Sequence, residues 1–132
     1  MTQYHDTGLE PETTYFYIIA SVGGNQVSPA PGEASAMTNP RPPENLTATA
    51  LSSSEVKLSW KNSSKVAELI MIERRTGKDS TFGKIFQKQP IDISTYVDTG
   101  LKPGTSYAYR LVVLKLPFNA SNYTPAVSVV TP

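Results

Sequence analysis

The residue types that could carry out catalysis are few and scattered in this sequence. A Ser-His-Asp site would need the single histidine, His5, which lies close to the N-terminus, and no Gly-x-Ser-x-Gly turn occurs. The acidic residues lie in predicted turns or at strand ends, so no two share a strand face as the paired carboxylates of a glycosidase do; they include Glu10, Glu12, Asp92 and Asp98. The sequence therefore predicts a protein that is not an enzyme.

Metal and cofactor sites also lack their ligands. The chain has no cysteine, one histidine, no Asp/Asn/Gly-rich calcium loop and no glycine-rich phosphate loop. Lysine plus arginine number 12 against 11 for aspartate plus glutamate, and this balance does not favour nucleic acid. No apolar run approaches the roughly 18 residues that span a bilayer, and the first residues do not resemble a signal peptide. We expect no cofactor, no nucleic-acid partner and no membrane insertion.

The elements that would position any site are organised around a motif that occurs twice. Residues 96–110 read YVDTGLKPGTSYAYR and residues 4–18 read YHDTGLEPETTYFYI, at a constant offset, since 96 − 4 = 92. A period of this length indicates a repeated domain and is too long for a solenoid unit. In each copy an apolar strand, a loop with Ser-Pro or Thr-Pro and a closing strand follow the motif. The first copy has no strands in front of it and is predicted to be a C-terminal half.

A proline-rich segment, residues 39–43, predicts a short and stiff linker, because proline fixes φ and removes a backbone donor. After it, apolar and polar side chains alternate in two runs, and five further strands are predicted at turn-bounded intervals. The predicted strands are 46–50, 56–60, 67–75, 82–88, 91–97, 107–114 and 126–131. Seven strands at this spacing predict a β-sandwich over residues 40–132, whereas residues 1–39 offer only two to three strands.

The large apolar residues on these strands are predicted to form one core. They are Leu46, Val56, Leu58, Trp60, Ile70, Ile72, Tyr96, Leu101, Tyr107, Tyr109, Leu111, Val113, Val127 and Val129. Within the repeated motif, Leu101 is expected to anchor a crossing loop and Pro103 to set a turn. The Tyr107 hydroxyl is expected to reach a loop carbonyl, and Asp98 to accept from turn amides. Residues 1–39 have too few such side chains to close a core alone.

In combination these segments resemble a fibronectin type III domain. The resemblance is carried by Pro43-x-x-Leu46-Thr47-Ala48, Val56-x-Leu58-Ser59-Trp60, Ile72-Glu73-Arg74, the 96–110 motif and Thr131-Pro132. It implies an all-β, immunoglobulin-like Greek-key sandwich of seven strands in residues 40–132, with Trp60 in the core and Tyr107 as the corner tyrosine. Residues 1–39 resemble only the last strands of a preceding copy, in which Tyr15 matches Tyr107.

The first copy departs from the family pattern at two positions, and the second copy resembles one group within the family. In the first copy, Glu12 stands where glycine is usual and Ile18 where arginine is usual, and we interpret both as changes at the surface or in a turn. The Ile72-Glu73-Arg74 strand end, together with the Asp-Thr-Gly-Leu sequence, resembles type III modules of secreted bacterial multi-domain proteins. This resemblance implies an extracellular or cell-surface location. It also allows a role as an accessory module of a secreted enzyme, such as a glycoside hydrolase.

Three roles are consistent with this sequence. The first is a non-catalytic spacer that positions neighbouring domains of a longer chain. The second is adhesion to a protein or carbohydrate through the loop 115–123, with Leu116, Phe118, Asn119 and Tyr123 as candidate binding residues. The third is strand exchange or self-association through residues 1–39, whose strands lack a facing sheet. A basic cluster around one hairpin is interpreted as a solvated edge; it comprises Arg74, Arg75, Lys78, Lys84 and Lys88.

Overall fold

The computed structural model describes residues 4–18, 22–23, 26–27, 33–78, 80–117 and 119–132. The elements in these ranges are β-strands joined by turns and bends, as the alternating sequence predicts. None of the described residues lies in a helix long and apolar enough to cross a membrane.

The N-terminal region contains two short antiparallel ladders. One pairs β1 (Thr14–Ile18) with β4 (Glu33–Met37), and the other pairs β2 (Val22–Gly23) with β3 (Gln26–Val27). The apolar strand that follows the first motif is predicted over residues 15–22; β1 covers residues 15–18 of it and β2 begins at Val22. Residues 19–21 between them lie outside the described ranges.

The rest of the chain forms two facing antiparallel sheets. The first sheet has the order β5-β6-β9, with β5 at Glu44–Ser52, β6 at Glu55–Lys61 and β9 at Thr95–Asp98. The second sheet has β10 at its centre, between β7 on one side and β11 and β12 on the other, while β8 pairs with the far edge of β7. Its strands are β7 (Leu69–Thr76), β8 (Gly83–Lys88), β10 (Ser106–Lys115), β11 (Asn119–Ala120) and β12 (Val127–Val130). Each of the seven predicted strands overlaps one of these strands, and β11 is an additional short strand inside the segment predicted as loop 115–123.

The core lies between these two sheets. Its fully buried side chains come from the inward positions of β6, β7 and β10, where Leu58, Ile72 and Tyr109 have no exposed surface. Every predicted core residue lies in this cluster or packs against it, with Leu46, Tyr96, Val127 and Val129 partly buried at its margin. The prediction of an all-β, immunoglobulin-like sandwich is confirmed. The core residues could be predicted because the period-two pattern of a strand places its apolar residues on one face.

Candidate functional site: the junction between the two copies

The corner formed by the repeated motif has the same hydrogen bonds in both copies. In the complete sandwich the Tyr107 hydroxyl accepts from the Lys102 amide at 2.9 Å, and in the first copy the Tyr15 hydroxyl accepts from the Glu10 amide at the same distance. The expectation that the Tyr107 hydroxyl would donate to a carbonyl was wrong in direction. A hydroxyl can accept as well as donate, and here an amide needs the acceptor.

The closing strand is tied to the corner by a threonine in each copy. The Thr131 hydroxyl accepts from the Thr105 amide at 3.0 Å, and the Thr38 hydroxyl accepts from the Thr13 amide at 3.1 Å. These contacts join the motif and its closing strand in the first copy as they do in the second. These hydrogen bonds of the corner therefore involve only the motif and its closing strand.

Asp98 forms a buried ion pair that the sequence did not suggest. It is 4% exposed and accepts two hydrogen bonds from the Arg74 guanidinium, at 2.8 and 3.0 Å, and a third from the Tyr109 hydroxyl at 2.8 Å. The expected contacts with turn amides were wrong, and so was the placement of Arg74 on a solvated edge. Arg74 lies opposite Tyr109 in the β7–β10 ladder and so reaches the end of β9. Burial, reinforced by Asp98, raises the pKa of Tyr109 well above its ordinary 10.0.

The first copy repeats this arrangement without a described arginine. The Tyr17 hydroxyl donates to Asp6 at 3.0 Å, as Tyr109 does to Asp98. Among the described residues no guanidinium or ammonium contacts Asp6, and both Asp6 and its surroundings are exposed. The first copy therefore repeats the carboxylate and the hydroxyl of the second copy, and within the described ranges no strand supplies a cation to Asp6.

Glu12 connects the first copy to the complete sandwich. Its Oε1 atom accepts from the Arg41 amide at 2.9 Å, and its Oε2 atom accepts from the Lys65 amide at 3.0 Å. The Glu12 amide also donates to the Asn39 carbonyl at 3.1 Å. Partial burial alone would raise the pKa of Glu12, but the Ser64 side chain, the two amides and the Arg41 charge together hold that pKa below its ordinary value.

The backbone of Glu12 has a conformation that usually requires glycine. Its φ is 55°, and the matching residue of the second copy, Gly104, has φ of 59°. The interpretation of Glu12 as a change confined to a turn missed its contacts with the linker and with the loop between β6 and β7. The signal was present in the sequence as a glutamate at a position where the left-handed conformation favours glycine.

Another hydrogen bond joins the first copy to the complete sandwich. The Asn119 side-chain amide donates to the Met37 carbonyl at 3.5 Å, the long end of the hydrogen-bond range. A groove of about 340 Å³ also lies between the first copy and the sandwich, lined by Leu9, Pro11, Thr38, Asn39, Pro40, Pro42 and Asn122. Asn119, a candidate binding residue, is thus placed against the first copy.

The other candidate binding residues of loop 115–123 have different surroundings. Leu116 is 37% exposed and Tyr123 is 45% exposed. The Tyr123 ring covers the Arg110 guanidinium at 3.7 Å, and its hydroxyl donates to Glu73 at 3.0 Å. Phe118 lies outside the described residues. Among the described candidate residues, Leu116 is therefore the one with an exposed apolar side chain that takes no part in the contacts with Arg110 and Glu73.

The Arg110 cluster is a second feature that the sequence did not suggest. The guanidinium lies over the rings of both Tyr123 and Phe82, at 3.7 and 4.2 Å from their centroids, and pairs with Glu73 at 2.7 Å. A cation in contact with two aromatic faces is stabilised by both. Arg110 and Glu73 are cross-strand partners in the β7–β10 ladder, and Tyr123 brings the loop 115–123 into contact with both.

Comparison with solved structures identifies the class of fold. A segment of two fibronectin type III domains from chicken tenascin aligns over 94% of this chain and 68% of its own, at 15% identity and a TM-score of 0.69. The FN1-FN3 domains of chicken CNTN1 align over 97% of this chain and 45% of their own, at 18% identity and a TM-score of 0.62. The FN5 domain of Drosophila Lar aligns over 70% and 97%, at 25% identity and a TM-score of 0.55.

The chain accordingly has the fibronectin type III fold, as the motifs predicted. No protein-family model and no curated protein matches it. The similar structures are modules of multi-domain proteins, and type III domains are generally non-catalytic. The bacterial type, the domain boundaries at residues 39 and 40 and the binding residues of the loop stay predictions.

Proposed function

We propose that the chain is a non-catalytic spacer of an extracellular or cell-surface multi-domain protein and holds neighbouring domains at a set angle. The observation that supports this role is the Glu12 carboxylate, which contacts the first copy's neighbour at two separate segments. Arg41 lies in the linker and Lys65 lies in the loop before β7, so the two hydrogen bonds restrain both the bend and the rotation at the junction.

The magnitudes favour a role in orientation over one in stability. A left-handed backbone costs a residue with a side chain about 1 to 2 kcal/mol. Hydrogen bonds to a charged group contribute about 1.5 to 3 kcal/mol each in favourable settings, and less at an exposed junction. The two effects nearly cancel for Glu12, so its net effect on stability is small. The main effect of the Glu12 contacts is therefore to fix the orientation of one copy relative to the other, and a spacer requires a fixed orientation.

The test is a comparison of Glu12→Gln with the unaltered protein. We expect at least about tenfold faster amide exchange at Arg41 and Lys65, because a neutral amide oxygen accepts more weakly than a carboxylate. Residual dipolar couplings should show one alignment tensor for residues 4–18 and 44–130 in the unaltered protein and two in the variant. Glu10→Gln is the matched control, since Glu10 is exposed two residues away. Unchanged exchange and couplings in Glu12→Gln would contradict the proposal.

The location is supported by the resemblance to secreted multi-domain proteins through Ile72-Glu73-Arg74. The same resemblance supports a place beside the catalytic domain of a secreted enzyme, with neighbouring domains of the parent chain as the partners. Protease treatment of intact source cells tests the location. Release of the chain from the cell surface, or its presence in the medium, is the expected result, and retention inside protease-resistant cells would contradict it.

A second candidate role, recognition of a protein or carbohydrate through loop 115–123, is favoured by the exposure of Leu116 and Tyr123. Tyr123 also covers Arg110, so its replacement would disturb the outer face as well as the loop. Leu116→Ser is therefore the sharper variant, with Leu51→Ser as a control because Leu51 is exposed elsewhere. Loss of binding in a glycan and protein array for Leu116→Ser alone would support this role, and identical array profiles would exclude Leu116.

A further inference from the structure

The carboxylate of Glu12 lies against two segments that follow the first copy in the chain. Its two oxygens each accept one backbone hydrogen bond, from the Arg41 amide at 2.9 Å and from the Lys65 amide at 3.0 Å. The Ser64 side chain and the Arg41 charge also favour the ionised form of the carboxylate. We call the Arg41 and Lys65 amides, together with the Ser64 side chain, the junction socket. Every part of the junction socket therefore comes from outside the first copy.

Proline makes the Arg41 amide the single backbone donor of residues 40–43. Pro40, Pro42 and Pro43 have no N–H group, and the proline that follows Arg41 restricts it to an extended backbone. Pro40 and Pro43 are also buried. The Arg41 amide is therefore restrained by its own segment, whether or not Glu12 accepts from it.

The loop between β6 and β7, which supplies the rest of the junction socket, is held by contacts within the sandwich. The Asn62 side chain accepts from the Trp60 indole and donates to the Ile93 carbonyl, both at 2.9 Å. The Ser64 hydroxyl accepts from the amides two and three residues further on, at 3.2 and 2.9 Å. None of these contacts includes Glu12, so we expect the Lys65 amide to keep its direction when Glu12 is replaced.

Two amides that converge on one carboxylate favour a charged ligand over a neutral one, because a hydrogen bond to an ionised acceptor is roughly twice as strong. The corner of the second copy has no such group, since Gly104 stands at the position of Glu12. We propose that the junction socket is a carboxylate-binding site that stays formed without Glu12. It selects, as the preceding module, a type III copy with an acidic residue at this turn position. This proposal rests on the proposed function, in which the Glu12 contacts orient the two copies.

Chemical rescue by formate tests the proposal in the 132-residue protein. Glu12→Gly places the residue of the second copy at this position and relieves the φ of 55°. We nevertheless expect at least about tenfold faster amide exchange at Arg41 and Lys65, because the carboxylate acceptor is lost. Sodium formate added to this variant should restore the protection and shift both amide resonances with one common, saturable dissociation constant. Neutral formamide, and sodium chloride at equal ionic strength, are the matched control solutes and should not.

A further substitution shows whether formate binds in the junction socket. In the Glu12→Gly background, Ser64→Ala should weaken formate binding at least about threefold. Ser53→Ala should leave it unchanged, because Ser53 is exposed in the turn between β5 and β6. The proposal is overturned if formate does not restore protection, or if formamide or chloride restores it equally. Unchanged amide exchange in Glu12→Gly before formate is added would overturn both this proposal and the proposed function.

Discussion

Glu12 and Gly104 occupy matching positions in the two copies of the motif, and both have positive φ, 55° and 59°. Glycine adopts this conformation without strain, whereas glutamate does not. The strained residue is the one whose side chain contacts the neighbouring module, through the Arg41 and Lys65 amides. The residue with the strained backbone is therefore the same residue that forms the junction contacts.

Gly104→Glu should destabilise the sandwich by about 1 kcal/mol, because it imposes the strain without the junction contacts. A Cβ atom at Gly104 would meet no atom within 4 Å, so the expected loss comes from φ and not from a clash at that atom. Urea unfolding followed by Trp60 fluorescence measures it. Gly83→Glu is the control, because Gly83 also has open space but is not among the glycines with positive φ. Equal losses in the two variants would show that φ is not the cause.

The junction should loosen at low pH. The pKa of Glu12 is held below its ordinary 4.5, so its contacts are fully present above that value and are lost as the pH falls through the lowered pKa. The amide shifts of Arg41 and Lys65, followed by NMR from about pH 7 down to about pH 2, should report one midpoint below the ordinary glutamate value. A midpoint above that value, or shifts that persist in Glu12→Gln, would contradict the assignment.

Arg74→Met should lower the stability of the sandwich by about 3 kcal/mol, the low end for breaking a buried pair, because Arg74 is itself partly exposed. The loss arises because the Asp98 carboxylate stays buried without its cation. Asp98→Asn combined with Arg74→Met should lose less than the sum of the single variants, since the neutral amide needs no cation. Strict additivity in urea unfolding would show that the two side chains do not interact.

The sandwich should lose stability at high pH through Tyr109. The folded-state pKa of Tyr109 is raised above 10.0, so its contribution is fully present below that value and declines as the pH rises above it. Urea unfolding between about pH 8 and about pH 11 should show a steeper decline in the unaltered protein than in Tyr109→Phe. Tyr4→Phe is the control, because Tyr4 is exposed. A change in slope in that control would point to a general effect of alkali.

Much of the fold could be predicted because the required information is local. Val56, Leu58 and Trp60 alternate with polar residues, and that spacing alone places them on one face of a strand. The offset between the two motifs located both corners, and the same short-range hydrogen bonds form at Tyr15 and Tyr107. Side chains that act within a few residues of their partners can be assigned in this way.

The sequence by itself determined the strands, the corners and the inward faces, because alternation and turn chemistry operate over short distances along the chain. Only the tertiary structure decided which distant side chains meet. Asp98 and Arg74 are 24 residues apart, Glu12 and Lys65 are 53 apart, and Tyr123 and Glu73 are 50 apart. Each contact depends on the pairing of strands or on the packing of one copy against the next, which bring together groups that no local pattern relates.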